Sequence, residues 1–191
     1  MTQRTALIVV DLQNDYFPGG KWELDGVEAA AVNAARIVAA VRETGGLVVH
    51  VRHEFPTQDA PFFAPGSEGA ETHASVLPAA EEPVVVKQQI NSFRDTELKA
   101  ILDKAGVESV LVVGAMSHMC IDAVVRAAGD FGYACTVAHD ACATLELEFQ
   151  GTKIPANYVH GAFMAALAFG YAQVVSTEEA VQQLQAAEAE K

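Results

Sequence analysis

Six short apolar runs constrain this chain more than any other feature: Ala6–Val10, Leu47–Val51, Val84–Val86, Ser109–Val113, Ala134–Ala138 and Gln173–Ser176. Most are continuous rather than alternating. A strand with one wet face alternates apolar and polar residues, whereas a continuous run marks a parallel strand buried on both faces. Helical patterns separate the runs, at Val27–Arg42, Asp95–Lys104, Met119–Asp130, Ala156–Ala168 and Glu178–Ala187. In the second of these, Asp95 and Thr96 stand where an N-cap belongs and Gly106 lies just past the end. Strand alternating with helix predicts an α/β fold. The expected form is a three-layer, six-stranded parallel sheet of order 3-2-1-4-5-6, with helices on both faces and right-handed crossovers. At 191 residues, without a repeat or linker, residues 1–191 are expected to form a single domain.

Composition narrows the function classes. Acidic residues outnumber basic ones 25 to 12, a net charge of −13. Nucleic acids and anionic membranes both call for basic patches, so neither is an expected partner. Glu178, Glu179, Glu188 and Glu190 read as a solvated helix face. No apolar stretch approaches the ~20 residues of a membrane span. The opening Met-Thr-Gln-Arg-Thr runs straight into the first apolar run without the pattern of a signal peptide, so a cytoplasmic location is expected. The three cysteines, Cys120, Cys135 and Cys142, are odd in number and form no CxxC, which argues against a disulfide framework. Cys135 reads as a small core residue, and Cys142 follows a strand end.

The segment Glu54–Glu82 breaks the rhythm. It has no periodicity, contains Pro56, Pro61, Pro65 and Pro78, and carries Phe55, Phe62 and Phe63. A stretch of that length is expected to be a lid or binding loop, a loop at a subunit interface, or both.

Ligands of an open parallel sheet bind beyond the carboxyl ends of its strands, where strand order reverses. Three such ends carry chemistry: Asp11 after ALIVV, Lys87 after PVVV, and Cys120 after SVLVVGAMSHM. In the expected order Asp11 and Cys120 sit on neighbouring strands, and Lys87 lies about 9–10 Å to the side, within much of a lysine's reach. A helix N-terminus and a nearby ammonium both favour a thiolate. Asp11 then serves as proton acceptor and donor, Lys87 as the group that holds it, and Cys120 as nucleophile. Backbone N–H groups around Met116 and Cys120 are placed to form an oxyanion hole. Taken singly, the same residues also fit an N-cap, a solvated strand end and a buried helix residue.

These residues carry a resemblance. The chain is similar to the isochorismatase-like cysteine hydrolase superfamily, which includes nicotinamidases, N-carbamoylsarcosine amidohydrolases and isochorismatases. The resemblance runs from ALIVVDLQNDYF to the strand at QVVS. It rests on Asp-x-Gln-x-Asp-Tyr at 11–16, on Lys87 with Ser92-Phe93 downstream, and on Gly114-Ala-Met-Ser-His-Met-Cys120. It implies a catalytic triad of Asp11, Lys87 and Cys120. It also implies a cis peptide before the cysteine, here Ala115–Met116, that aims an N–H into the oxyanion hole. Gln13 matches a glutamine near the family's active site, with support of the first loop as its other reading. Asp15 reads as a local backbone cap. Phe17 and Trp22 read as pocket walls or as core. Ser117 stands where the family has threonine or serine, and His118 contacts either substrate or a neighbouring subunit.

Nicotinamidases also hold a metal on an aspartate, a histidine two residues on and a further histidine. Aligned on Pro56, this chain has His53 and Phe55 at the first two positions. His50 and His53 are three apart and so face opposite sides of a strand, which leaves His73 alone. No metal and no other cofactor is expected.

The resemblance implies a hydrolase that cleaves a C–N bond of a small amide, lactam or carbamoyl compound through a thioester on Cys120. The alternatives are vinyl-ether hydrolysis of the isochorismatase type and a non-catalytic redox or binding thiol. An apolar pocket of Phe17, Trp22, Phe62, Phe63 and Met116, with Gln13 and His118, suits an uncharged substrate. The segment ACATLELEFQGTKIPANYVHGAF is expected beside the site or in a subunit contact, and the family resemblance implies a homodimer or homotetramer.

Overall fold

The computed structural model describes residues 4–189. Eight strands are present: β1 (Thr5–Val10), β2 (Leu47–His53), β3 (Val84–Lys87), β4 (Ser109–Ala115), β5 (Ala134–Ala143), β6 (Leu147–Phe149), β7 (Thr152–Ile154) and β8 (Ala172–Val175). Five helices accompany them: α1 (Val27–Glu43), α2 (Leu98–Lys104), α3 (Asp122–Asp130), α4 (Ala156–Gly170) and α5 (Thr177–Ala189). Six strands form one parallel sheet of order β3-β2-β1-β4-β5-β8. This is the expected topology, with β8 in the place of the sixth strand.

The continuous apolar runs have the cause inferred for them. In β1, Leu7 and Val9 face one core while Ala6, Ile8 and Val10 face the other, and all five are buried. Helices α1 and α5 cover the first face; α2, α3 and α4 cover the second. At the β1–β4 contact the chain requires glycine. Gly114 has φ +128°, and a Cβ there would stand 1.9 Å from the Val10 carbonyl oxygen.

Four features differ from the expectation. Strands β6 and β7 form a separate antiparallel hairpin, within a segment whose LELEF and TKI are too short and too exposed to carry a core pattern. Strand β5 continues to Ala143, five residues further, with a register irregularity opposite Val112–Gly114. Helix α2 starts at Leu98 rather than Asp95, because Asp95 has φ +56° and lies outside it; Thr96 Oγ1 accepts from Leu98 N–H. The helix expected from Met119 begins as a π-helical turn, Ser117–Ile121, before α3. Of the acidic residues in the tail, Glu178 and Glu179 are exposed, while Glu190 and the side chain of Glu188 lie outside the described residues. Among the described residues no helix is long and apolar enough to cross a membrane.

Candidate active site

The carboxyl ends of β1, β3 and β4 converge on one buried cluster. Asp11 follows β1 directly. Its backbone is left-handed, φ +50°, and its N–H donates to the Val51 carbonyl at 2.9 Å, which turns the chain off the sheet. Lys87 is the last residue of β3 and lies opposite His53 in register. Its side chain reaches from β3 past β2 to the residue that follows β1. The ammonium Nζ sits 2.8 Å from Asp11 Oδ2, 3.3 Å from Cys120 Sγ and 3.0 Å from His53 Nδ1. An ammonium has three protons, and this one has three partners. Asp11 and Lys87 side chains are fully buried and Cys120 is 3% exposed. The Asp11 carboxylate makes an ion pair with Lys87 and accepts no directed hydrogen bond from the protein.

The electrostatics follow from two acids sharing one cation. Burial alone would lower the Lys87 pKa, but the Asp11 carboxylate and the Cys120 sulfur outweigh it and hold the ammonium above the ordinary lysine value. Burial and the adjacent Asp11 carboxylate push the Cys120 thiol well up, against the pull of Lys87. The sequence led to the expectation that a helix N-terminus and Lys87 favour a thiolate, with Asp11 taking the thiol proton. The geometry differs, because a thiolate beside Asp11 would leave a net negative charge in a buried site. The Cys120 side chain is favoured as a thiol. It also lies inside the π-helical turn rather than at the first residue of a helix.

His53 is the group the sequence reading passed over. Burial, and then the neighbouring Lys87, lower its pKa to about 4, so the ring is neutral near pH 7. With Nδ1 accepting from Lys87, Nε2 carries the proton, and it is buried without a partner. Its register opposite Lys87 was the available signal, and testing it only as a metal ligand hid it. Neither nicotinamidase-like metal position fits a metal, since His53 gives Nδ1 to Lys87 and Phe55 has no donor atom. Among the described residues no three His, Cys, Asp or Glu side chains form a metal-holding group. Tyr16 is a second addition: burial, then Asp11 and Cys120, raise its phenol pKa well above the usual value.

The Ala115–Met116 peptide bond is cis. Met116 is 9% exposed, and its carbonyl accepts from Met119 N–H at 3.0 Å and Ile121 N–H at 3.2 Å, which starts the turn that carries Cys120. Ser117 Oγ bonds His160 Nδ1 of α4 at 2.8 Å. His118 is half-buried, with Nδ1 2.7 Å from Thr144 Oγ1 and its ring edge-on to Phe163. All three cysteines are free.

The remaining candidates divide. Gln13 is 1% exposed, and its amide is wholly engaged with backbone: Nε2 donates to the His53 and Ala70 carbonyls and Oε1 accepts from His53 N–H, each at 2.8 Å. It pins the first loop to β2 and the long segment. Asp15 caps backbone, accepting from Lys21 N–H and Phe63 N–H. Phe63 is fully buried between Tyr16 and His53, so it supports the wall from behind. Phe17 is buried and stacks on His73 at 3.6 Å. Trp22, 40% exposed, stacks on Phe62 at 4.8 Å, and Phe62 meets Phe55, which leans on His53. An aromatic path thus runs from the Lys87 cluster to the surface.

The sequence profile of the isochorismatase domain matches residues 5–179. The chain belongs to the isochorismatase family. A family protein of uncharacterized function from Bacillus subtilis, YddQ, is 51% identical over 91% of this chain and 97% of its own length. A streptothricin hydrolase of Streptomyces noursei is 36% identical over 74% of this chain and 50% of its own length. A crystal structure from Oleispira antarctica, solved as that of a candidate isochorismatase hydrolase, superposes with a TM-score of 0.93. It is 56% identical and covers 95% of this chain and 98% of its own. The family assignment makes the chain a member of a hydrolase family with this α/β fold.

Proposed function

We propose that this isochorismatase-family protein is a cysteine hydrolase that cleaves the C–N bond of a small, uncharged amide, lactam or carbamoyl compound. The observation that carries the reading is the Lys87 ammonium shared between Asp11 and Cys120. The Cys120 thiol passes its proton to Asp11 as Sγ bonds the acyl carbon. Backbone N–H groups of Met116 and Cys120 receive the oxyanion. Asp11 returns the proton to the leaving nitrogen, the C–N bond breaks and a thioester remains. Water then attacks; Asp11 takes its proton and restores the thiol as the acid leaves.

A thiol of raised pKa is unreactive until its base acts, which suits catalysis and argues against a sensor, which needs an exposed, readily ionised cysteine. One relative supports C–N hydrolysis by its name, a maleamate amidohydrolase of Pseudomonas putida, 29% identical over 95% of this chain; the streptothricin hydrolase supports hydrolysis alone. The aromatic wall of Trp22, Phe62 and Phe55 favours a neutral, flat substrate over an anion such as maleamate.

The test is amine or ammonia release from a panel of neutral amides, lactams and carbamoyl compounds, with maleamate as the anionic arm. Release from neutral members that is lost in Cys120→Ala and Asp11→Asn is expected. Release undiminished in Cys120→Ala removes the nucleophile; turnover of maleamate alone removes the neutral-substrate assignment.

A further inference from the structure

His53 carries a buried hydrogen-bond donor with no partner among the described residues. The residue ends β2, the strand between those that lead to Asp11 and Lys87, and is 3% exposed. Its Nδ1 lies 3.0 Å from the Lys87 ammonium, which has only protons to offer. A neutral imidazole that accepts at one nitrogen carries its proton on the other, so Nε2 is the donor. Burial, and then Lys87, keep the ring neutral near pH 7.

This donor is held in place. Gln13 accepts from the His53 N–H and donates to its carbonyl, both at 2.8 Å, and β2 is paired with β1 and β3. Turning the ring would break the bond to Lys87. Buried donors in folded proteins are nearly all satisfied, by protein, water or ligand. The face of Phe55 is the nearest aromatic surface, its centroid 4.5 Å from that of His53 and its plane tilted by 60°. A contact between an N–H and a ring is weak and does not replace a hydrogen bond. The donor also stands close to the chemistry. Lys87 Nζ lies 3.0 Å from His53 Nδ1 and 3.3 Å from Cys120 Sγ, so one small molecule can span the nucleophile and the imidazole. Phe55 is the inner end of the aromatic path that opens at Trp22.

We propose that His53 Nε2 is a specificity-determining donor for a second carbonyl of the substrate, which makes small flat amides with two carbonyl groups, cyclic imides foremost, the preferred substrates. The assignment rests on the proposed amide chemistry, which places the first carbonyl at Cys120. The surroundings select a carbonyl. A carboxylate would be buried against a neutral ring, because the three Lys87 protons already have partners. A hydroxyl would bring a proton of its own to a wall of Phe55 and Phe63, which offers no acceptor side chain. A carbonyl oxygen accepts and does not donate. A site built around such a bond rejects analogues that lack the partner far more strongly than it rejects a missing methylene.

Calorimetric titration of the Cys120→Ala protein, which binds without reacting, tests this with two probes of like size: succinimide, with two carbonyls, and pyrrolidinone, with one. Succinimide is expected to bind at least about tenfold more tightly. Adding His53→Asn keeps an acceptor for Lys87 but is too short to place a donor where Nε2 stands, and should bring the two affinities within about twofold of each other. A purely structural role for His53 would move both affinities together. In nitrogen NMR of the protein with isotope-labelled histidine, His53 should carry its proton on Nε2, and succinimide should shift that N–H resonance. Three results would overturn the proposal: equal affinity for the two probes, a preference that survives His53→Asn, or an N–H resonance that succinimide leaves unmoved. None of the three depends on turnover. Absence of cleavage in the unmodified chain, with the preference for succinimide intact, would remove the hydrolase reading and leave the donor's role standing.

Discussion

At the scale of the residue, Lys87 concentrates the chemistry and the risk. Removing it strands a buried carboxylate, and breaking a buried pair from one side costs about 3–5 kcal/mol. Lys87→Met is therefore expected to lower the urea-unfolding free energy by that order, and the double variant with Asp11→Asn to recover part of it. In the proposed mechanism, with a one-carbonyl amide, His53 is a positioning residue, its Nδ1 accepting from the Lys87 ammonium. His53→Leu should lower kcat at least about tenfold and shift the pH–rate profile, with KM little changed. His53→Asn, which keeps an acceptor, should retain more activity than His53→Leu. His53 also ties stability to pH. Its folded pKa of about 4 lies below the unfolded value of 6.5, so the unfolded chain binds the proton first as pH falls. Stability is lost as pH falls from about 6.5 toward 4, by about 2 kcal/mol between pH 7 and pH 5. His50, His73, His118 and His160 are also held below the ordinary histidine value and add to the slope, so urea titrations at the two pH values should show His53→Leu reducing it rather than abolishing it. Asp11, Lys87 and Cys120 were legible because each stands at a strand end. His53 was not, since only the register of β2 against β3 brings it to Lys87, whose strand lies three from the one that leads to Cys120.

At the scale of the element, legibility depended on burial. Runs buried on both faces, such as β1 and β4, announce themselves by unbroken apolar sequence. The β6–β7 hairpin is mostly exposed and left no such mark. The π-helical turn at Ser117–Ile121 was hidden for a different reason: its side-chain pattern continues into α3, while the deviation lies in the backbone bonds to the Met116 carbonyl. The close approach of β1 and β4 yields a test. Gly114→Ala puts a Cβ into the Val10 carbonyl at a left-handed φ, so thermal unfolding should show severe destabilisation, at the upper end of single-substitution effects, above about 4 kcal/mol. Gly170→Ala meets nothing within 4 Å, and the same assay should find it within about 0.5 kcal/mol of the parent.

At the scale of the whole molecule, one sheet sets three strand ends together, and the long segment between β2 and β3 folds its aromatic residues over them. That segment looked structureless because it has no period; its order comes from tertiary bonds, with Gln13 and Asp15 holding Ala70 and Phe63. The aromatic wall implies that Trp22→Ala raises KM for a flat neutral amide several-fold with a smaller effect on kcat, as steady-state kinetics would show. The central claim is that Cys120 carries the acyl group. Its most direct measurement is the intact mass of protein quenched in acid during turnover of a neutral amide, followed by peptide mapping. The account predicts an acyl adduct on the Cys120 peptide that is absent in Cys120→Ala. Turnover with no adduct, and at an undiminished rate in Cys120→Ala, would contradict it.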